Sequence, residues 1–214
     1  AKIDETGNAH VIETSAFTLD TQAELAAFQY QQTQNQQKLT DWIKFSKNIH
    51  YHFNSLDASS VKIIPTKDLT KGSKFAILSL EYDANNIFTL AKKNTRTTEY
   101  SLDANRLAFS ASSTSRGEIT LGNNMKFVME LPSDAINIKT VPSAGVEVKN
   151  NVLTWSGPIT STWDISFERE KSLSSEVNEF FIQAAQDLTQ SFSIILLTAF
   201  AIIAAYFVII RSKK

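Results

Sequence analysis

The chain has 214 residues, with 21 Lys and Arg against 22 Asp and Glu, and a formal net charge of −1. This balance supplies neither the basic excess that binds a nucleic acid backbone nor an acidic field that attracts cations. The absence of cysteine excludes disulfides, thiolate catalysis, zinc–thiolate sites and iron–sulfur clusters.

The N-terminal part of the chain is predicted to form a strand and then a long helix. Polar and apolar residues alternate from His10 to Phe17, which is typical of a half-buried strand. Thr21 and Glu24 have the spacing of a helix-capping box, and the helix is expected to extend to about residue 50, judged from its apolar positions. The Gln-rich run 29–38 is either an exposed face of that helix or a break between two helices.

Short β-rich runs follow as far as residue 168 and predict a largely antiparallel sheet. Trp155 and Trp163 alternate in phase with Leu and Ile, so core packing is favoured over a stacking platform for sugar rings or bases. The predicted strands are 61–65, 74–82, 97–102, 106–112, 118–121, 125–132, 136–141, 145–148, 151–155 and 161–168.

An amphipathic helix is predicted at residues 172–191. Its apolar residues fall on one helical face, which either covers the β-rich domain or docks a neighbouring subunit. They are Val177, Phe180, Phe181, Ala184, Ala185 and Leu188.

The run 192–210 contains no charged residue and, at 1.5 Å per residue, is long enough to cross a bilayer. It is predicted to continue the preceding helix, so that 174–210 form one helix ending in a transmembrane span. The basic tail 211–214 places the C-terminus in the cytoplasm and residues 1–190 outside. A chain that begins with Ala1 fits a removed signal peptide. The alternative is a tail-anchored protein with a cytosolic domain.

Small residues within and before the predicted span form a stripe on one side of the helix. In lipid, small residues let helices approach and pack closely, so this stripe predicts a helix–helix interface with another membrane subunit. Its members are Ser191, Thr198, Ala201 and Ala205.

The three histidines provide a candidate Cu or Zn site. On a strand, His50 and His52 would face the same way, as two imidazole ligands must, and His10 could supply a third nitrogen from the first strand. On a helix the pair would diverge and the site would fail. Nucleotide-binding, metalloprotease and hydrolase motifs are absent, so the sequence predicts no catalytic or cofactor-binding residue.

The C-terminal third carries a series of short motifs: ELP at 130–132, INIKTVP at 136–142, NVLTWSG at 151–157 and WDISFE at 163–168. With the apolar run after them, they resemble uncharacterised archaeal and bacterial families that have a signal peptide, an α+β ectodomain and one C-terminal transmembrane helix. The resemblance covers residues 125–210 and implies no activity.

The sequence therefore predicts an α+β fold in four parts: an extracytoplasmic domain (1–171), a juxtamembrane helix (172–191), a transmembrane helix (192–210) and a cytoplasmic tail (211–214). The expected function is non-enzymatic, as an accessory domain of a membrane or cell-surface protein complex. The expected partners are membrane lipid and other protein subunits. The alternative function is an extracytoplasmic Cu or Zn domain that uses the histidines.

Overall fold

A computed structural model describes residues 1–53, 58–67, 74–109, 118–171, 177–178, 181–187 and 189. The chain divides into two compact units, Ala1–Arg169 and Glu170–Lys214. In the described residues the first unit is mostly β, with one α-helix, α1 (Gln22–Thr33), and two 3-10 turns, Leu39–Asp41 and Ala104–Arg106.

The strands of the described residues follow one another along the chain with short connections. They are β1 (Lys2–Ile3), β2 (Ala9–Thr18), β3 (Ala58–Lys67), β4 (Phe75–Ala84), β5 (Phe88–Lys92), β6 (Thr97–Leu102), β7 (Ile119–Leu121), β8 (Lys126–Glu130), β9 (Ile136–Val141), β10 (Val146–Lys149), β11 (Val152–Ser156), β12 (Ile159–Ser161) and β13 (Asp164–Glu170).

Two main sheets share one core. The larger sheet has the order β10-β11-β8-β1-β2-β4-β3, the smaller has the order β5-β6-β13-β9, and β12 pairs with β7. In the larger sheet β1 runs parallel to β8 and antiparallel to β2. Trp155 of β11 and Phe127 of β8 contact Trp163, which directly precedes β13, so aromatic rings join the two sheets.

The predicted α+β class with one long N-terminal helix is wrong. The capping box is confirmed, because the Thr21 side chain accepts from Glu24 N–H and the Glu24 side chain accepts from Thr21 N–H. The helix nevertheless has only 12 residues. Asn35 follows it with a φ of 50°, the left-handed conformation that commonly ends helices. The Gln-rich run then leaves the helix, and Gln37 binds the backbone of β3.

Within the described part of the chain, no helix has the length and apolar character needed to cross a membrane. This finding corrects the prediction of a single-pass cell-membrane protein with a transmembrane helix, which the structure does not support. Helical residues of the second unit are described at 177–178, 181–187 and 189, and the predicted continuous helix over 174–210 is not found among them. Residues 192–214 lie outside the described residues.

Most of the predicted strands are found, with ends that differ by at most three residues. The run 106–112 is an exception in its described part. A 3-10 turn ends at Arg106, and Leu107 makes an isolated bridge to Phe53 instead of joining a strand. The core assignment of the two tryptophans is confirmed, because Trp155 is 0% and Trp163 3% exposed.

Candidate functional site

In the larger sheet the two-residue strand β1 lies between β2 and β8. β1 pairs with β2 through Lys2 and His10 and with β8 through Lys2 and Glu130. Because neighbouring strands lie about 4.8 Å apart, β2 and β8 are about 9.6 Å apart at this point. β2 continues to Thr18, beyond the residues that pair with β1. We call the space between residues 12–16 and residues 125–128 the slot.

The backbone groups of β2 that point into the slot follow from the register. Asp4 N–H donates to Asn8 C=O at 3.0 Å, so even-numbered residues of β2 direct their backbone groups toward β1 and odd-numbered residues toward β4. The N–H and C=O groups of Ile12, Thr14 and Ala16 therefore face the slot. The same alternation directs the side chains of odd-numbered residues into the core.

The opposite wall of the slot is formed by β8. Glu130 N–H donates to Ala1 C=O at 2.8 Å, and Val128 C=O accepts from the Ala1 amino group at 2.7 Å. By the same alternation, the N–H of Val128 and both backbone groups of Lys126 point toward β2. Two antiparallel strand edges thus face each other across the slot.

A cleft of about 700 Å³ lies at the slot and is lined by residues from both walls. Its lining includes the apolar side chains of Phe53, Phe109, Leu121 and Phe127 on the inner side of the sheet, all of which are at least nine-tenths buried. Glu13 and His52 add a polar corner to the same lining.

Glu13 is the centre of this polar corner. Its Oε2 accepts from His52 Nδ1 at 2.7 Å, and its Oε1 accepts from His52 N–H at 2.9 Å. The hydroxyl of Tyr82 donates to the same Oε1 and lies 3.0 Å from the C=O of Phe53. Because a carboxylate oxygen accepts, Nδ1 of His52 is the donor in this contact.

Burial and the Glu13 charge act on both tyrosines beside this carboxylate. Burial first, and then the neighbouring carboxylate of Glu13, raise the pKa of Tyr82 far above its usual range. The same two causes raise the pKa of Tyr51, whose ring packs edge-on against Tyr82 with centroids 4.9 Å apart. Both hydroxyls therefore stay protonated near neutral pH, and Tyr82 remains a donor to Glu13.

The structure brings two of the three candidate histidines together. The rings of His50 and His52 have centroids 3.9 Å apart, and His50 Nδ1 lies 3.2 Å from Lys47 C=O. His10 lies on the other face of β2 from Glu13, where its Nδ1 is 2.8 Å from a carboxylate oxygen of Asp83.

This arrangement differs from a built metal centre. Zn–N bonds of about 2.0–2.1 Å would place two imidazole centres about 5 Å apart on one tetrahedral ion, whereas the two rings here are stacked more closely. Among the described residues, no group of three or more metal-binding side chains could hold an ion.

The predicted C-terminal interfaces are only partly described. Val177 and Phe181 are exposed, as is Ala185, while Ala184 is half-buried. The other predicted members of both interfaces lie outside the described residues: Phe180, Leu188, Ser191, Thr198, Ala201 and Ala205.

Sequence reasoning missed Glu13 as a site residue, although the sequence carries a signal for it. The inward positions of β2 are Val11, Glu13, Ser15 and Phe17, so Glu13 is the charged residue on a face that points to the core. A buried carboxylate requires donors, and that requirement could have directed the search for partners such as Tyr82.

Comparison with known proteins provides no relative for this chain. No protein-family model, no curated protein and no solved structure matches it. The resemblance of residues 125–210 to archaeal and bacterial families therefore stays a prediction.

Proposed function

We propose that the chain is a non-catalytic interaction domain, which binds a segment of a partner protein in the slot and acts as an accessory subunit of a protein assembly. The supporting observation is the cleft at the slot. Between residues 12–16 and 125–128, backbone donors and acceptors of two strands face a cleft whose lining includes both polar side chains and the rings of Phe53, Phe109 and Phe127. Sheet edges of this kind bind extended peptides in many recognition domains.

At the outer edge of β3, side chains cover the backbone groups that could pair with another strand. Pro65 lacks an N–H, and its C=O accepts from Gln32 Nε2 at 3.1 Å. Both backbone groups of Ile63 are bound by Gln37. Such coverage prevents an edge from pairing with other chains. At the slot, by contrast, Phe53, Phe109 and Phe127 line the cleft, so that a bound segment would have apolar side chains to pack against.

Peptide selection tests the proposal. A phage-displayed library of random 12-residue peptides is selected on the folded full-length protein, and recovered peptides are synthesised and titrated by fluorescence anisotropy. Ser15 points to the inner side of the sheet and lines the cleft, so Ser15→Trp should fill it and abolish binding. Ser101→Trp, on the half-buried outer side of β6, is the matched control and should leave binding unchanged.

Two results would contradict the proposal. One is a library that yields no peptide with a measurable affinity for the wild-type protein. The other is a set of peptides that bind the Ser15→Trp variant as tightly as the wild type, with both variants shown to be folded by circular dichroism.

A further inference from the structure

We infer that two copies of the chain associate through β10, which pairs antiparallel with the β10 of a second copy about a two-fold axis at Val148. Among the described strands, β10 is the terminal strand of the larger sheet and pairs with β11 on one side. Glu147, Val148 and Lys149 are all exposed, Val148 to 54%. This association is separate from the binding of a peptide in the slot.

The backbone groups of Val148 point away from β11, toward the outer side of β10. Leu131, which follows β8, donates its N–H to Asn151 C=O at 2.9 Å, so odd-numbered residues of β11 direct their backbone groups toward β8. The even-numbered residues of β11 therefore bind β10, where their partners are Glu147 and Lys149. Val148 lies between these two residues and directs its N–H and C=O outward.

The charges beside Val148 are complementary to those of a second copy. In an antiparallel pair centred on Val148, the two Val148 residues would exchange both of their backbone hydrogen bonds. Glu147 would then lie opposite the partner's Lys149, and Lys149 opposite the partner's Glu147. Opposite charges in directly opposed positions stabilise a strand pair. The partner that this charge pattern fits is therefore another copy of the same strand.

The inner face of β10 adds an apolar contact to this pair. Val148 lies opposite the buried Leu153, so its side chain points to the inner face, although more than half of it is exposed. Directly opposed residues share a face of the sheet, so the two Val148 side chains would cover each other. Since β10 has only four residues, the contact is small, and small interfaces form weak, reversible complexes.

Charge reversal tests the pairing. Sedimentation equilibrium of the wild type in low-salt buffer, at up to millimolar concentration, should show a reversible monomer–dimer equilibrium. Glu147→Lys and Lys149→Glu each replace both attractive pairs by pairs of like charge, so each should raise the Kd of the dimer roughly tenfold or more. Combining the two substitutions in one chain restores opposite charges, so the Kd should return to within about threefold of the wild-type value.

The two single variants should also bind each other. Their mixture places two lysines of one copy opposite two glutamates of the other, so the heterodimer should be tighter than either homodimer. Lys92→Glu, on the exposed part of β5, is the control. It changes the net charge by the same amount as Lys149→Glu and should leave the Kd unchanged.

A cysteine cross-link tests the register of the pair. The chain has no cysteine, so Val148→Cys introduces a single thiol. Cα atoms of a hydrogen-bonded antiparallel pair are about 5.5 Å apart, which a disulfide can span, so mild oxidation should give a covalent dimer. Val146→Cys is the control, because its two copies would lie four residues out of register, or about 14 Å along the strands.

Three results would overturn this pairing. The first is a wild-type protein that remains monomeric at millimolar concentration. The second is a dimer whose Kd is the same in the wild type and in both charge-reversed variants, each shown to be folded by circular dichroism. The third is equal cross-linking of Val148→Cys and Val146→Cys, which would indicate random encounters rather than a two-fold axis at Val148.

Discussion

The side-chain amide of Gln37 forms hydrogen bonds with both backbone groups of Ile63. Its Oε1 accepts from Ile63 N–H at 2.8 Å, and its Nε2 lies 3.4 Å from Ile63 C=O. A neighbouring strand would bind these two groups in the same manner. Gln37 thus replaces a strand at the edge of the larger sheet, and it explains why the Gln-rich run leaves α1 and passes along β3.

Gln37→Ala should expose this edge. Loss of both hydrogen bonds should lower the free energy of unfolding by about 1–2 kcal/mol, because two part-buried backbone groups lose their partner. Self-association should also increase, since an uncovered edge pairs with other chains. Urea unfolding and analytical ultracentrifugation measure the two effects.

Gln29→Ala is the control for this prediction. Gln29 is exposed in the interior of α1, and alanine has the higher helix propensity, so stability should stay equal or rise slightly. Equal stability and equal sedimentation of the Gln37 and Gln29 variants would show that the Gln37 contact does not protect the edge.

The Glu13 carboxylate should couple energetically to Tyr82. Tyr82→Phe removes the hydroxyl donor and leaves the C=O of Phe53 without this partner. Glu13→Gln keeps the shape but places an amide beside His52. Each should lower the free energy of unfolding by about 1–3 kcal/mol, the usual cost of an unsatisfied buried polar group. The double variant should lose less than the sum, because both changes disrupt one network.

A double-mutant cycle from urea unfolding measures that coupling. Thr14→Val, on the exposed face of β2, is the control and should change stability by no more than about 0.5 kcal/mol. Additive losses for Glu13→Gln and Tyr82→Phe would mean that the two groups do not share a network.

Trp155 should be among the most sensitive positions of the core. Its ring is fully buried against Phe127 and Trp163, and its Nε1 donates to Pro142 C=O at 3.1 Å. Trp155→Ala should cost about 3–5 kcal/mol of unfolding free energy, since it leaves a large cavity. The exposed Val148 is the control, and Val148→Ala should cost about 0.5 kcal/mol or less. A loss below 1 kcal/mol for Trp155→Ala would contradict its place in the core.

The sequence predicted the strands well because their alternation is local. Each half-buried strand shows a period of two in its own residues, and Trp155 and Trp163 could be assigned to the core from that period alone. The capping box of Thr21 and Glu24 was also predictable, because both hydrogen bonds join residues three apart.

The length of α1 and the cluster around Glu13 depend on contacts between residues that are far apart in the sequence. The end of α1 is set by the left-handed conformation of Asn35 and by the binding of Gln37 to Ile63, 26 residues away. Glu13, His52 and Tyr82 meet across separations of 39 and 69 residues. A period of two or 3.6 contains no information about such pairs, so both the helix length and the candidate site escaped prediction.

Glu168 should make the stability of the smaller sheet depend on pH. Its Oε1 pairs with Lys93 Nζ, and its Oε2 accepts from Asn137 Nδ2 at 3.0 Å. The hydrogen bond from Lys93 first, and that from Asn137 next, lower the pKa of the Glu168 carboxyl below its usual range. A lowered pKa in the folded state means that the ionised group stabilises the fold above the usual pKa of glutamate, and that this contribution is lost as pH falls through the folded-state pKa.

The wild type should therefore be more stable than Glu168→Gln at neutral pH, and the difference should shrink as the pH falls below about 4, where the carboxyl of glutamate becomes protonated. The midpoints of urea unfolding of both proteins, at a series of pH values, measure this difference in stability. Lys93→Met removes the main cause of the lowered pKa, so adding Glu168→Gln in that background should change the pH dependence much less. A difference between wild type and Glu168→Gln that stays constant from pH 7 to pH 3, or that is equally pH-dependent without Lys93, would show that the ion pair does not stabilise the folded state.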